Sequence, residues 1–213
     1  MGDTSDARDN ERYWLKRHEK LGGLRAVGDR RRSEEENTVL YAEKLRAIFT
    51  LVNGLGLACS LSGRRVLDAG CGIGIVSGLF HAMGVEVTGI DVSEVALEQA
   101  ALRSPGGTFI KASLVDFETD RHAFDLILCA DVLYHLVDDG NWAATLVNLH
   151  RHARPGGFLA IIDQLKAAPE RPAPHVRFRT AEMYANVLSR TGATRVESVC
   201  HGGTLVYQAG RAP

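Results

Sequence analysis

The sequence predicts an α/β domain on a doubly wound, mainly parallel sheet, preceded by an N-terminal helical cap. Three observations carry this. After Gly63, short runs rich in β-branched residues alternate with helical stretches, the signature of βαβ units. The first such run, Arg65-Val66-Leu67, leads through Asp68 and Ala69 into Gly70, Gly72 and Gly74, a glycine turn where a strand hands over to a helix. Before Gly63, apolar residues recur at helical spacing among charged ones.

In chain order, a first helix is expected from Asp9 as N-cap, with Tyr13, Trp14, Arg17 and Leu21 on successive turns and a stop at Gly22-Gly23. Ser33 followed by Glu36 fits a capping box, and Tyr41, Leu45, Ile48 and Val52 then share one face of a second helix. Arg30, Arg31 and Arg32 lie beside the acidic run 34–36 and read as a solvated, self-compensating loop. Residues 1–58 are thus assigned to the cap or lid and 59–213 to the α/β domain. Strands are expected over 64–68, 85–90, 107–111, 124–130 and 156–163, with helices over 73–83, 93–103 and 140–153. Arg154-Pro155-Gly156-Gly157 reads as a sharp turn into the fifth strand, and the stretch from Pro169 to Pro174 as an exposed loop. A helix capped by Thr180 and a closing strand pair over 193–199 and 203–209, turned at Gly202-Gly203, complete the chain.

The 213 residues, 45% hydrophobic and 24% charged, suffice for one sizeable core. With 25 basic against 26 acidic residues there is no global field to hold nucleic acid or an anionic membrane, so neither is an expected partner. Cys59, Cys71, Cys129 and Cys200 are widely spaced, which suggests reduced thiols rather than a disulfide framework or a zinc site. The charged start MGDTSDARDN is unlike a secretory signal, and no apolar run approaches the roughly 20 residues of a membrane span, so the expected address is cytoplasmic.

The chemistry concentrates at the glycine turn. Asp91 closes the expected second strand 21 positions after Gly70. A carboxylate about 20 residues past such a turn can accept both hydroxyls of an adenosine ribose. It can also cap the following helix, although Ser93 is placed to do that itself. A nicotinamide cofactor needs a small third residue and a positive environment for its pyrophosphate. Here the branched Ile75 and the acidic Asp68 stand instead, and a carboxylate favours a cation over a phosphate.

The segment VLDAGCGIG, Val66 through Gly74, resembles motif I of the class I S-adenosylmethionine (SAM)-dependent methyltransferases, and GIDVSEVAL resembles the segment after their second strand. Phe124 through Ala130 is similar to their fourth strand, and Asp131 through Leu136 to the segment that lines cofactor and acceptor. The resemblance implies a seven-stranded sheet in the order 3-2-1-4-5-7-6 with strand 7 antiparallel. It implies SAM as cofactor, S-adenosylhomocysteine as product, and cofactor contacts from Asp68, Gly70, Cys71, Gly72, Asp91, Val92 and Cys129. Where the family usually has an Asp beside the adenine this chain has Ser113, so the contact falls to the Ser113 hydroxyl, the Leu114 amide or Asp116.

The function so implied is methyl transfer to an O or N atom of a small-molecule acceptor. Such a displacement needs alignment and exclusion of water more than a dedicated base. If the acceptor is a hydroxyl, His135 is the candidate base, with packing near the cofactor as its alternative role. Tyr13 and Trp14 are candidates to close over the sulfonium, or to pack the helix. Asp131 and Tyr134 can assist or merely begin a helix, while His175, Arg177 and Arg179 either meet an acidic acceptor or are solvated charges. His150 and His152, two apart, face different sides of a helix, and no metal site is expected. A noncatalytic SAM-binding regulator and a methyltransferase acting on protein or nucleic acid remain as alternatives, while Asp68 and Ile75 disfavour a dinucleotide oxidoreductase. The oligomeric state is not legible in the sequence.

Overall fold

A computed structural model describes residues 4–57, 62–119, 123–197 and 203–210. The N-terminal segment forms α1 (Thr4–Lys20), α2 (Gly23–Val27) and α3 (Glu34–Gly54). Helix α1 therefore begins at Thr4, before the expected cap at Asp9. It stops at the predicted glycines, where Gly23 adopts φ 60 and turns the chain into α2. The Glu34 carboxylate accepts from the Leu24 and Arg25 amides, 2.7 and 3.3 Å away, so the start of α3 also satisfies the first turn of α2. The predicted capping box is present: Ser33 Oγ accepts from the Glu36 amide at 3.1 Å, and Glu36 Oε2 accepts from the Ser33 amide at 2.7 Å. Arg30, Arg31 and Arg32 are exposed beside Asp29, which pairs with Arg32 at 3.7 Å.

The central sheet comprises β1 (Arg65–Ala69), β2 (Glu86–Asp91), β3 (Thr108–Lys111), β4 (Phe124–Ala130) and β5 (Ala153–Ile162). A small hairpin, β6 (Glu170–Ala173) and β7 (Val176–Phe178), precedes the closing strands β8 (Thr194–Arg195) and β9 (Thr204–Gln208). The order is β3-β2-β1-β4-β5-β9-β8, with β9 antiparallel to β5. With the separate hairpin set aside, this is the implied 3-2-1-4-5-7-6 arrangement. The turn proposed at Gly202 falls outside the described residues. Helices α4 (Ile75–Ala82), α5 (Glu94–Arg103), α6 (Asp139–His152) and α7 (Ala181–Leu188) connect the strands.

Two local expectations need correction. The Pro-rich stretch is an irregular antiparallel hairpin rather than a loop, paired at Glu170↔Phe178 and Ala173↔Val176. Its register breaks between those pairs, where Pro172 has no amide to donate, and a two-stranded ribbon tolerates the loss because each strand has a free edge. The ARPGG stretch is the irregular beginning of β5, not a turn ahead of it. Ala153 already pairs with Phe124, the register shifts before Phe158↔Leu126, and Gly156 at φ 77 absorbs the extra residues.

The sheet is covered on both faces, and strand periodicity decides which residue goes where. Val66, Leu126, Leu128, Ala160 and Val206 pack with Ile48, Leu51 and Val52 of α3 and with Val76 and Phe80 of α4. Their strand neighbours Leu67, Ile127, Cys129, Leu159 and Leu205 face Trp142, Leu146 and Leu149 of α6 and Tyr184 and Leu188 of α7. The last turns of α3 thus share a core with the sheet, which fixes the N-terminal helices over its carboxyl edge. Among the described residues no helix is long and apolar enough to cross a membrane.

Candidate active site

A cavity of about 140 Å³ opens at the carboxyl ends of β1, β2, β3 and β4. Open α/β sheets bind ligands there, because the loops on either side of the first strand diverge to opposite faces. Trp14 and His18 of α1, Val27 of α2, and Tyr41 and Lys44 of α3 form the opposing wall.

The glycine turn joins β1 to α4, with Gly70, Gly72 and Gly74 at φ 77, 51 and 78. All three positions crowd an added side chain, Gly70 against Val132 Cγ2 at 2.5 Å. A Cβ on Gly74 would lie 2.6 Å from Ala100 Cα, and one on Gly72 would lie 2.7 Å from Val27 Cγ1. Four of the turn's amides are already engaged. Gly70 and Cys71 donate to the Ile90 carbonyl at 2.8 and 3.0 Å, Gly72 donates to Asp91 Oδ2 at 2.9 Å, and Gly74 donates to the Cys71 carbonyl at 2.9 Å. A pyrophosphate needs such amides pointing at it. This turn spends those four on its own neighbours and sets two carboxylates beside them.

Asp91 lines the cavity and its two oxygens accept from the Gly72 and Ser93 amides, each at 2.9 Å. It does not cap α5, because Ser93 Oγ accepts from the Ala96 amide at 3.3 Å, as the sequence allowed. Burial pushes the Asp91 carboxyl above the usual carboxylate range. Asp68 stands at the other side of the turn, buried and bonded to Ser77 Oγ at 2.7 Å. Burial raises its carboxyl to about 6, against the opposing effect of the Ser77 bonds. Two desolvated carboxylates with raised affinity for a proton form a wall that a cationic ligand stabilises.

Val92, Cys71, Ser113 and Leu114 line the same cavity. The stretch after β3 is held by Asn148 of α6, whose amide donates to the Leu114 and Phe117 carbonyls at 3.1 and 3.2 Å. Asp116 is exposed and lies outside the cavity wall, so it does not substitute for the usual Asp beside the adenine. Cys129 also lies outside. It is 1% exposed in the core under α6, because alternation along β4 turns its side chain to the sheet face and leaves Ala130 at the cavity.

Beyond β4 the wall is aromatic. His135 is buried, its ring 4.7 Å from Trp14 and 4.2 Å from Tyr134. Its Nδ1 lies 2.9 Å from the His175 carbonyl oxygen, which only accepts, so Nδ1 carries the proton and Nε2 the lone pair. Burial lowers its pKa to about 4, and the ring is neutral at pH 7. Trp14 lines the cavity, whereas Tyr13 sits behind it, stacked on His175 at 4.3 Å. Asp131, at the unusual φ of 58, pairs with Lys44 at 2.5 Å, and the Lys44 ammonium lies 4.2 Å from the Tyr41 ring centre. Burial opposes the charge of Lys44, but Tyr41 and Asp131 together outweigh it and raise its pKa.

Arg177 and Arg179 are neither acceptor contacts nor solvated charges. Both bind Asp139 of α6, at 2.6 and 2.9 Å, and the fully buried Arg179 also donates to the Leu136 carbonyl at 2.7 Å and lies over Trp142. They fasten the β6–β7 hairpin, and with it the His175 carbonyl, to the site. His152 stacks on Phe117 and bonds the Asn148 carbonyl, and among the described residues no cluster able to hold a metal occurs.

Sequence reading missed His18 and Lys44. Each carries a local signal: His18 follows Trp14 by four residues and Lys44 follows Tyr41 by three, so each shares a helical face with an aromatic residue of the N-terminal segment.

Residues 66–157 match the family described as methyltransferase domain. The chain is 40% identical over 106 residues to the ubiquinone biosynthesis O-methyltransferase of Aromatoleum aromaticum, an alignment covering 46% of this chain and 42% of that protein. It thus spans less than half the length of that relative. Among solved structures, a TehB-like SAM-dependent methyltransferase from Corynebacterium glutamicum superposes with a TM-score of 0.59 at 22% identity, covering 83% of this chain and 97% of that one. Magnesium protoporphyrin IX methyltransferase from Synechocystis, solved with bound SAM, superposes at 0.63 with 20% identity, covering 85% and 86%. These likenesses show the fold.

Proposed function

We propose that the chain, whose residues 66–157 match a methyltransferase domain and whose sheet has the class I strand order, is a SAM-dependent methyltransferase acting on an O or N atom of a small-molecule acceptor. The observation that carries this reading is the cofactor wall: a glycine turn that spends the amides of Gly70, Cys71, Gly72 and Gly74 internally, flanked by the buried carboxylate of Asp68 and the partly buried carboxylate of Asp91. Those residues fit a ligand that is cationic at one end and presents ribose hydroxyls at the other. When bound, SAM supplies an electrophilic methyl group on a sulfonium.

The chain's own residues then have distinct tasks. Asp91 accepts the ribose hydroxyls, Asp68 favours the cationic end, and Ser113 and Leu114 meet the adenine. The helices of residues 1–58 act as a lid, with Trp14 and Tyr41 excluding water and aligning the acceptor. His135, which lines the cavity and is neutral at pH 7, is the group suited to taking a proton from an acceptor hydroxyl in passing rather than storing it. The aromatic and aliphatic wall of Trp14, Tyr41, Val132 and Leu136 favours a compact, largely apolar acceptor.

Calorimetry with SAM, S-adenosylhomocysteine and NAD tests the cofactor, and a mass-shift screen of phenols and amines tests turnover. Binding of the first two with none of NAD is expected. Tight NAD binding without heat from either sulfur ligand would overturn the reading.

A further inference from the structure

Helix α1 crosses the cavity lengthwise. Trp14 meets His135 at the β4 end, and His18, one turn further along the same face, reaches the β2 end beside Asp91. His18 is only 5% exposed, and neither of its ring nitrogens has a hydrogen-bond partner. Buried polar atoms are nearly always paired, so two unpaired nitrogens on one cavity-wall side chain demand an account. Internal bonding does not supply it. The nearby Asp91 carboxylate is turned to the Gly72 and Ser93 amides. Across from His18 it keeps accepting capacity, and burial favours the neutral ring, with one donor and one acceptor nitrogen. The group that complements a carboxylate on one side and a neutral imidazole on the other is a hydroxyl, which donates to the first while accepting from the second.

We infer that His18 is a cofactor-binding residue supplied by the lid, hydrogen-bonded to the ribose hydroxyl edge that Asp91 holds from the sheet side; this rests on the SAM reading above. The ribose is then gripped from both layers, and α1 is completed as a wall only when the cofactor is in place. Arg17, which bonds the Arg25 carbonyl at 2.9 Å and also the Gly28 carbonyl, holds the helix at the height this contact needs.

The test compares wild type, His18→Phe and His18→Gln in calorimetry with S-adenosylhomocysteine and with its analogues lacking the 2′- or 3′-hydroxyl. His18→Phe replaces two unsatisfied buried nitrogens by carbon, so the empty protein should keep or raise its melting temperature. Its affinity for S-adenosylhomocysteine should nevertheless fall by about three- to tenfold, the worth of one hydrogen bond. That penalty should vanish against at least one deoxy analogue, and His18→Gln should recover part of it. Unchanged affinity in His18→Phe overturns the inference, as does an equal penalty on all three ligands, which would mark His18 as packing alone. If His18→Phe fails to fold, the decision rests on His18→Gln, and a penalty there that ignores the missing hydroxyl overturns the inference. Wild-type protein that binds no S-adenosylhomocysteine would instead refute the cofactor reading.

Discussion

Replacing Asp91 by asparagine separates two tasks that the structure loads on one carboxylate. Asp91 accepts two backbone amides at 2.9 Å, from Gly72 and Ser93, and in the proposed complex it also accepts the ribose hydroxyls. Asparagine keeps one oxygen and puts an NH2 group where the second stood, so one of the two amides faces a donor. An unsatisfied buried amide costs about 1–3 kcal/mol. In a domain of this size each kcal/mol lowers Tm by roughly 2–4 °C. The neutral amide also relieves some of the desolvation that raises the Asp91 carboxyl, so the loss should fall toward the lower end, about 2–6 °C. The ligand loses a hydrogen bond to a charged acceptor, worth about 1.5–3 kcal/mol, or about 10- to 150-fold in affinity. Calorimetry with S-adenosylhomocysteine, run beside thermal unfolding followed by circular dichroism, reads both effects in one preparation. A folded Asp91→Asn protein with unchanged affinity would refute the ribose assignment and leave Asp91 as a strut of the glycine turn.

Three further outcomes are expected. Burial raises Asp68 from 3.8 to about 6, so its contribution to stability is present below the lower value and lost as pH rises through the upper one, while its attraction for a cation follows the opposite course. SAM affinity should therefore weaken as pH falls through about 6, and Asp68→Asn should flatten that part of the profile; an unaltered profile in the variant would move the titration elsewhere. Trp14→Ala opens the wall against His135, and turnover should drop about tenfold or more with a much smaller fractional loss of stability, whereas a collapsed Tm with normal activity in the folded fraction would make Trp14 a core residue. Arg179→Ala removes the fully buried clamp between the hairpin, Asp139 and the Leu136 carbonyl, and thermal unfolding should show a loss of about 1–3 kcal/mol; an unchanged Tm would mean the hairpin is held by other contacts.

The sheet and its glycine turn were legible in the sequence because their determinants are local. The alternation of β4 and β5 side chains between the two sheet faces, the Ser33–Glu36 box and the spacing from Gly70 to Asp91 each follow from backbone periodicity and short-range hydrogen bonding. The capping of α5 by Ser93 came out as expected for the same reason, whereas the strand order, which the family resemblance implied and periodicity did not, is the one observed. Tertiary structure decided what depended on partners distant in the chain. Arg177 and Arg179 read as free charges until Asp139, about forty positions earlier, was brought beside them. Lys44 was one lysine of a helix until it met Asp131 across the cavity. Cys129 and Ala130 are adjacent in sequence, and only the pleat of β4 sends one to the core and the other to the site. His18 shares a helical face with Trp14 in the sequence, but what sets it apart is tertiary: packing buries both its nitrogens without giving either a partner.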